Sequence, residues 1–308
     1  MPSGRKAGGG HVSVLVLGSV ALDTLETDRG KVVDCLGGSA SHAACAVSYF
    51  VRPTIVGVVG DDFPKEAWDF LAARADLSEL KVLRGKTFRW HGMHDLKTGE
   101  TVTKATELNT YEQFAPELSQ EASRLPYVLL GNIAPELQLR VLEQLQSPRV
   151  VLADTMPLWI DADRPGVIEV MRRSHVFMLN AEEARMLTDK RAAEDAGAAL
   201  LEQGARCVVV KQGGDPAVLV SRRGVRHVAS YPDVDLVDPT GAGDNFAGAT
   251  LGYLAAQGAD GDNIDAIAAG MTYGAAIASF AIEEFGTLVH QRLTKEDIEK
   301  RRKTAIAT

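Results

Sequence analysis

Residues 238–258 read Asp238-Pro239-Thr240-Gly241-Ala242-Gly243-Asp244 and then NFAGATLGYLAAQG, a glycine turn running straight into a helix. Phe246, Thr250, Tyr253 and Leu254 recur at helical spacing, and Gly258 stands where the helix would stop. The first turn of a helix offers backbone N–H groups without internal partners, and the helix dipole is positive there. Glycine lets an anion come close to that backbone. A carboxylate at the same place, Asp244, is suited to accept a proton from a substrate hydroxyl. Taken alone, a GxGD turn also fits a plain loop with a helix-initiating aspartate. It is not a dinucleotide fingerprint, because GxGxxG would need glycine where Phe246 stands, and no GxxxxGK[ST] loop occurs in the chain.

Upstream of this turn, short β-branched runs end in glycine, asparagine or aspartate: 12–17, 54–59, 127–130, 150–153, 175–179, 206–210 and 217–220. Most are almost continuously apolar, the pattern of strands covered on both faces. Helical spacing is present at 39–50, 64–75, 135–146 and 192–203. Strands alternating with helices predict an α/β fold with a mostly parallel sheet, whose ligands sit beyond the carboxyl ends of the strands. The segment at about 83–114 breaks the pattern, being polar, threonine-rich and spotted with aromatics. Lys97-Thr98-Gly99-Glu100 reads there as a hairpin turn between two strands of a small antiparallel addition. The predicted organisation is a lead-in at 1–11, disordered by its PSGRKAGGG composition, and one domain over 12–300 carrying that insertion.

With 308 residues, 45% of them hydrophobic, the chain can bury a sizeable core. A formal net charge of -8 argues against nucleic acid or a membrane surface as partner. Cys35, Cys45 and Cys207 have neither disulfide-framework nor zinc spacing, which points to reduced thiols and a cytoplasmic setting. The run at 264–282 is the longest apolar stretch, but Asp265, Thr272 and two glycines make it a buried helix rather than a membrane span.

Other polar residues fall at predicted strand ends. Gly37-Gly38-Ser39 precedes a helix, a glycine turn with a serine cap. Gly18 to Asp23 follows the first strand, where Asp23 is either a solvated loop residue or a ligand of hydroxyls. Asn180 and Glu183 have the spacing of a helix capping pair. Lys211-Gln212-Gly213-Gly214 closes another strand, with Lys211 either a phosphate contact or a surface lysine. Asp154 ends the strand at 150–153. His91 and His94 have metal-ligand spacing, yet their threonine-rich context favours ordinary surface residues, and Cys207 reads as core.

Taken whole, DPTGAGDNFAGA resembles the C-terminal signature of the ribokinase-like (PfkB) family of carbohydrate and nucleoside kinases. The resemblance spans about 14–285 and implies a three-layer α/β/α ribokinase-like fold with a small β lid at 83–114. It implies an ATP-dependent phosphotransferase in which Asp244 deprotonates the acceptor hydroxyl and Gly241, Ala242 and Gly243 form an anion hole. By the same resemblance Asp23, Gly37, Gly38, Ser39 and Asp154 face the acceptor. Asn180, Glu183, Lys211, Gly213, Asp238 and Thr240 serve ATP and Mg²⁺, Glu183 acting on the metal through water. K⁺ is a further candidate cofactor near Asp238, adenine is expected around 263–279, and a homodimer through the lid is a candidate assembly. Within the family, carbohydrate is the first-ranked acceptor. A nucleoside comes second, with Phe88, Trp90 and Trp159 available to stack on a base. A sugar phosphate served by Arg89 and Lys104 comes last. The intact Asp244 speaks against a non-catalytic binding protein on the same fold.

Overall fold

The computed structural model describes residues 13–231 and 233–305; the lead-in at 1–11 and Val12 lie outside them. In chain order the strands are β1 (Val14–Leu17), β2 (Ala21–Thr27), β3 (Gly30–Gly37), β4 (Pro53–Gly60), β5 (Leu80–Leu83), β6 (Arg89–His94), β7 (Thr101–Glu107), β8 (Tyr127–Leu130), β9 (Val150–Ala153), β10 (Val176–Asn180), β11 (Cys207–Gln212), β12 (Asp215–Ser221) and β13 (Gly224–Val228). The helices are α1 (Ser39–Ser48), α2 (Lys65–Ala72), α3 (Pro135–Gln144), α4 (Pro157–Ala162), α5 (Arg164–Arg173), α6 (Ala181–Thr188), α7 (Ala193–Glu202), α8 (Ala242–Gln257), α9 (Ile264–Ala281) and α10 (Lys295–Ala305).

The main sheet runs β13-β12-β11-β10-β9-β8-β1-β4-β5. It is parallel from β11 to β5, and the β11-β12-β13 meander is antiparallel. Because side chains alternate across a strand, each central strand feeds two cores. Val14, Val16, Tyr127, Leu129, Val150 and Leu152 face the layer that holds α1, α2, α8 and α9. Their neighbours Leu15, Leu17, Val128, Leu130, Val151 and Ala153 face α3, α5, α6 and α7. The result is the expected three-layer α/β/α sandwich. Helix α9, long and apolar enough by composition to cross a membrane, has half of that window buried inside the fold.

The lid sheet is larger than the sequence suggests. Its order is β3-β2-β6-β7, so 83–114 supplies two strands and the hairpin at 21–37 supplies two more. Ala21–Thr27 was not among the expected strands, although its alternation of apolar and polar residues fits one. It pairs in parallel with β6, Leu22 opposite Arg89 and Asp23 opposite Trp90. Asp23 is therefore a strand residue, 3% exposed, and not a solvated loop aspartate. Thr87 and Arg89 anchor the base of the lid to Asp62, with Oγ1···Oδ1 at 2.7 Å and Nη1···Oδ2 at 2.9 Å. Arg89 Nε also lies 3.3 Å from Asp34 Oδ1 on β3.

Candidate active site

Parallel register brings the polar strand ends to one edge: Leu130 pairs with Ala153, and Asn180 with Lys211. A cavity of about 590 Å³ opens there. Its lining includes the polar residues Asp154, Asn180, Glu183, Lys211 and Asp244 with Gly243, and the apolar residues Val228, Leu236, Ala275, Ala278 and Ile282. Gly213 also lines the cavity. The expected adenine region thus contributes only its C-terminal part, and Val228, Tyr231, Val234 and Leu236, which the sequence did not single out, add to the lining.

Lys211 is not a surface lysine. Its Nζ lies 2.9 Å and 3.2 Å from the two carboxylate oxygens of Asp154, with side-chain exposures of 17% and 6%. Burial works to lower the Lys211 pKa, but Asp154 and Glu183 outweigh it, and the ammonium is held charged. Asp154 also accepts the amide of Thr155 at 3.0 Å. Asn180 and Glu183 form a complete capping box on α6, and both Glu183 oxygens bond to Asn180, at 2.6 Å and 2.7 Å. Burial pushes the Glu183 carboxyl up from its ordinary range.

Asp244 sits in the first turn of α8, whose N-cap is Gly241 at φ 76, a left-handed conformation that suits glycine. A side chain at Gly241 would also strike the His42 ring, 2.3 Å from its Nδ1. The Ala242 amide is occupied by Pro239 O at 3.3 Å, so of the three residues expected to form the anion hole, Gly243 offers the free amide on the cavity wall. Asn245 holds the turn from below, its Nδ2 donating to Gly241 O at 2.9 Å. Burial and the nearby Asp154 raise the Asp244 pKa from 3.8 to about 7, against the pull of Lys211.

Asp238 and Thr240 do not line the cavity. Asp238 is fully buried and accepts the amides of Thr240 and Gly286, each at 3.0 Å. The Thr240 hydroxyl lies 2.9 Å from His94 Nε2. His94 is 7% exposed, so its reading as a surface residue is corrected: the lid carries it onto the glycine turn.

Asp23 lies beyond the cavity on the lid side, near enough for the charges of Asp238 and Asp244 to act on it. A Cβ on Gly37 would fall 1.9 Å from Asp23 Oδ2, so the carboxylate occupies the space that glycine leaves. Asp23 Oδ1 is buried without a hydrogen-bond partner among the described residues. Burial raises its pKa to about 7, opposed by the Gly38 amide. Ser39 is already engaged, its Oγ accepting from the Ser19 amide at 3.1 Å. Trp159 donates to Asn132 Oδ1 at 3.0 Å, and Phe88 packs on Tyr111, 5.4 Å between centroids.

Residues 13–291 match the model of the pfkB family of carbohydrate kinases. The chain belongs to that family. It is accordingly a kinase of the phosphotransferase class. A cytidine kinase of Thermococcus kodakarensis is 30% identical over 251 residues, covering 79% of this chain and 88% of the relative. An inositol 3-kinase of Zea mays is also 30% identical, over 291 residues, covering 88% and 73%. The nucleoside kinase of Methanocaldococcus jannaschii superposes with a TM-score of 0.74 over 96% of this chain and 100% of its own, at 18% identity, which is a likeness of fold.

The raised carboxyl groups make a prediction about stability. Asp23 and Asp244 hold their protons more tightly in the folded chain, from 3.8 up to about 7. The folded chain therefore binds more protons than the unfolded one between those values, and stability falls as pH rises through that window. Asp244→Asn removes one such group. In thermal melts without ligands, the advantage of the variant over wild type is expected to be small near about pH 4.5 and to widen toward about pH 8. A gap that stays constant or narrows would contradict the assignment.

Proposed function

We propose that the protein transfers the γ-phosphoryl group of ATP to a hydroxyl of a nucleoside, with Asp244 as the general base. The observation that carries this reading is the placement of Asp244 in the first turn of α8, beside the Gly243 amide and the Lys211 ammonium, with a pKa of about 7. A carboxylate poised near neutral pH can take the hydroxyl proton as the oxygen attacks phosphorus. Phosphoryl transfer otherwise needs mostly positioning and charge stabilisation. In this reading Lys211 and the Gly243 amide stabilise the negative charge on the transferring group, and Asp154 fixes the Lys211 ammonium.

ATP fits the cavity with its base against the apolar lining residues and its phosphates against the polar ones. Among the described residues no cluster of three His, Cys, Asp or Glu side chains forms a metal cage. With Glu183 engaged by Asn180, the donor set fits a Mg²⁺ that arrives on the phosphates and is held through water by Asn180 and Glu183. When bound, Mg²⁺ would neutralise phosphate charge.

The acceptor ranking changes from carbohydrate first to nucleoside first. The cytidine kinase match over most of that relative's length supports it. Trp90 stands opposite Asp23 in register on the neighbouring lid strand, its indole lying over Gly92 and donating to Thr103 on β7 at 3.2 Å, and is the aromatic side chain available there to a base. The inositol 3-kinase match keeps a polyol as the second reading.

Asp23→Ala should raise the acceptor KM and leave the ATP KM nearly unchanged, because each hydroxyl bond to a charged group contributes ~1.5–3 kcal/mol. Trp90→Ala should add a loss for nucleosides that free ribose does not show. Equal losses for both would remove Trp90 as a base platform. An effect confined to the ATP KM in the Asp23 variant would place the acceptor at the wrong end of the sheet.

A further inference from the structure

His94 is the last residue of β6, and its imidazole bridges two parts of the fold that are distant in sequence. Nδ1 lies 2.8 Å from the hydroxyl of Thr101, its cross-strand partner on β7. Nε2 lies 2.9 Å from the hydroxyl of Thr240, one residue before the N-cap of α8. Asp238 Oδ1 is 3.8 Å from the same nitrogen and also accepts the Thr240 amide. The Trp90 ring packs against His94 at 5.9 Å between centroids, lying over Gly92, where a Cβ would come within 2.1 Å of it. A buried histidine with two hydroxyl partners is fully satisfied in its neutral form, one nitrogen donating and the other accepting. Burial lowers its pKa against the opposing charge of Asp238, which favours that neutral form.

The lid sheet carries Asp23 over the acceptor side, and the turn at Gly241–Asp244 carries the phosphoryl side. We infer that His94 is a positioning residue for transfer, tying the placement of the Gly241–Asp244 turn to the lid sheet through the Thr240 hydroxyl. The inference rests on the reading of that turn as the phosphoryl site. A misplacement of about 1 Å at a reacting centre can cost ~10²-fold in rate, so a bond that sets the turn has leverage without touching the substrate.

The test uses the full chain with ATP, Mg²⁺ and the best acceptor from a nucleoside and sugar panel. His94→Ala is expected to lower kcat ~10–100-fold while the ATP KM moves less than ~3-fold. His94→Gln, whose amide offers a donor and an acceptor to the same two threonines, should recover most of the loss. Thr240→Val should fall to a similar level, and His94→Ala/Thr240→Val no further than either single variant, the mark of one shared interaction. Near-normal kcat in His94→Ala, or losses that multiply in the double variant, would overturn the inference. So would equal loss of thermal stability in both His94→Ala and His94→Gln, because the residue would then act on folding alone. Asp244→Asn measured alongside separates the two claims. An inactive Asp244→Asn with a normal His94→Ala removes only the positioning role. An active Asp244→Asn removes the base assignment and leaves the double-variant cycle to judge His94.

Discussion

Asp244→Asn should lower turnover by ~10²–10⁴-fold, the usual cost of losing a general base. The amide matches the carboxylate in size but cannot take the hydroxyl proton. ATP affinity should stay within ~2-fold, because removing an interaction made only in the transition state lowers kcat without weakening ground-state binding. The fold should not suffer, since Asp244 is a carboxyl whose charge is disfavoured by its surroundings, with a pKa raised to about 7. Turnover by ADP release, ATP binding by calorimetry and a thermal melt distinguish these effects. Near-normal turnover would refute the assignment, and a collapsed melt would attribute the loss to folding.

Gly243→Val should abolish transfer with the fold retained. A Cβ at this position would lie 3.0 Å from Lys211 Nζ and 3.7 Å from Asp154 Oδ2. The first atom alone crowds the ion pair, and the two valine methyls must enter the space beside it on the cavity wall. The helix itself tolerates valine at a cost below ~1 kcal/mol relative to good helix formers. The expected loss in kcat is at least ~10²-fold, since displaced charge stabilisation acts directly on the transition state. Gly243→Ala should fall between the two, because the flexible end of Lys211 can yield by a few tenths of an ångström. Normal activity in the valine variant would show that the phosphoryl group does not approach Gly243. Unfolding by circular dichroism would show that the glycine serves packing.

Local pattern carried much of the fold. Tyr127–Leu130 and Val150–Ala153 coincide with their expected strands, because apolar runs covered on both faces are legible residue by residue. The Asn180–Glu183 capping box was legible for the same reason, its partners being three residues apart. What sequence could not give was pairing across long separations. The β2–β3 hairpin was missed because its role as lid depends on β6, more than sixty residues later for Leu22 and Arg89. His94 looked like a surface residue in a threonine-rich strand because its partner Thr240 is 146 positions away. Lys211 could be read two ways until Asp154, 57 positions away, settled its surroundings. Val228, Tyr231, Val234 and Leu236 belong to no motif, and only the folded chain brings them onto the cavity wall.

The most direct test of nucleoside phosphorylation is to follow the label of γ-labelled ATP. Wild-type protein with Mg²⁺ would be offered cytidine, adenosine, ribose and myo-inositol in turn, with Asp244→Asn as the control. The account predicts that the label appears in a nucleoside monophosphate, preferentially over ribose and inositol phosphates, and that Asp244→Asn suppresses its appearance. Label found only as inorganic phosphate with every acceptor, or transferred to inositol in preference to both nucleosides, would contradict it.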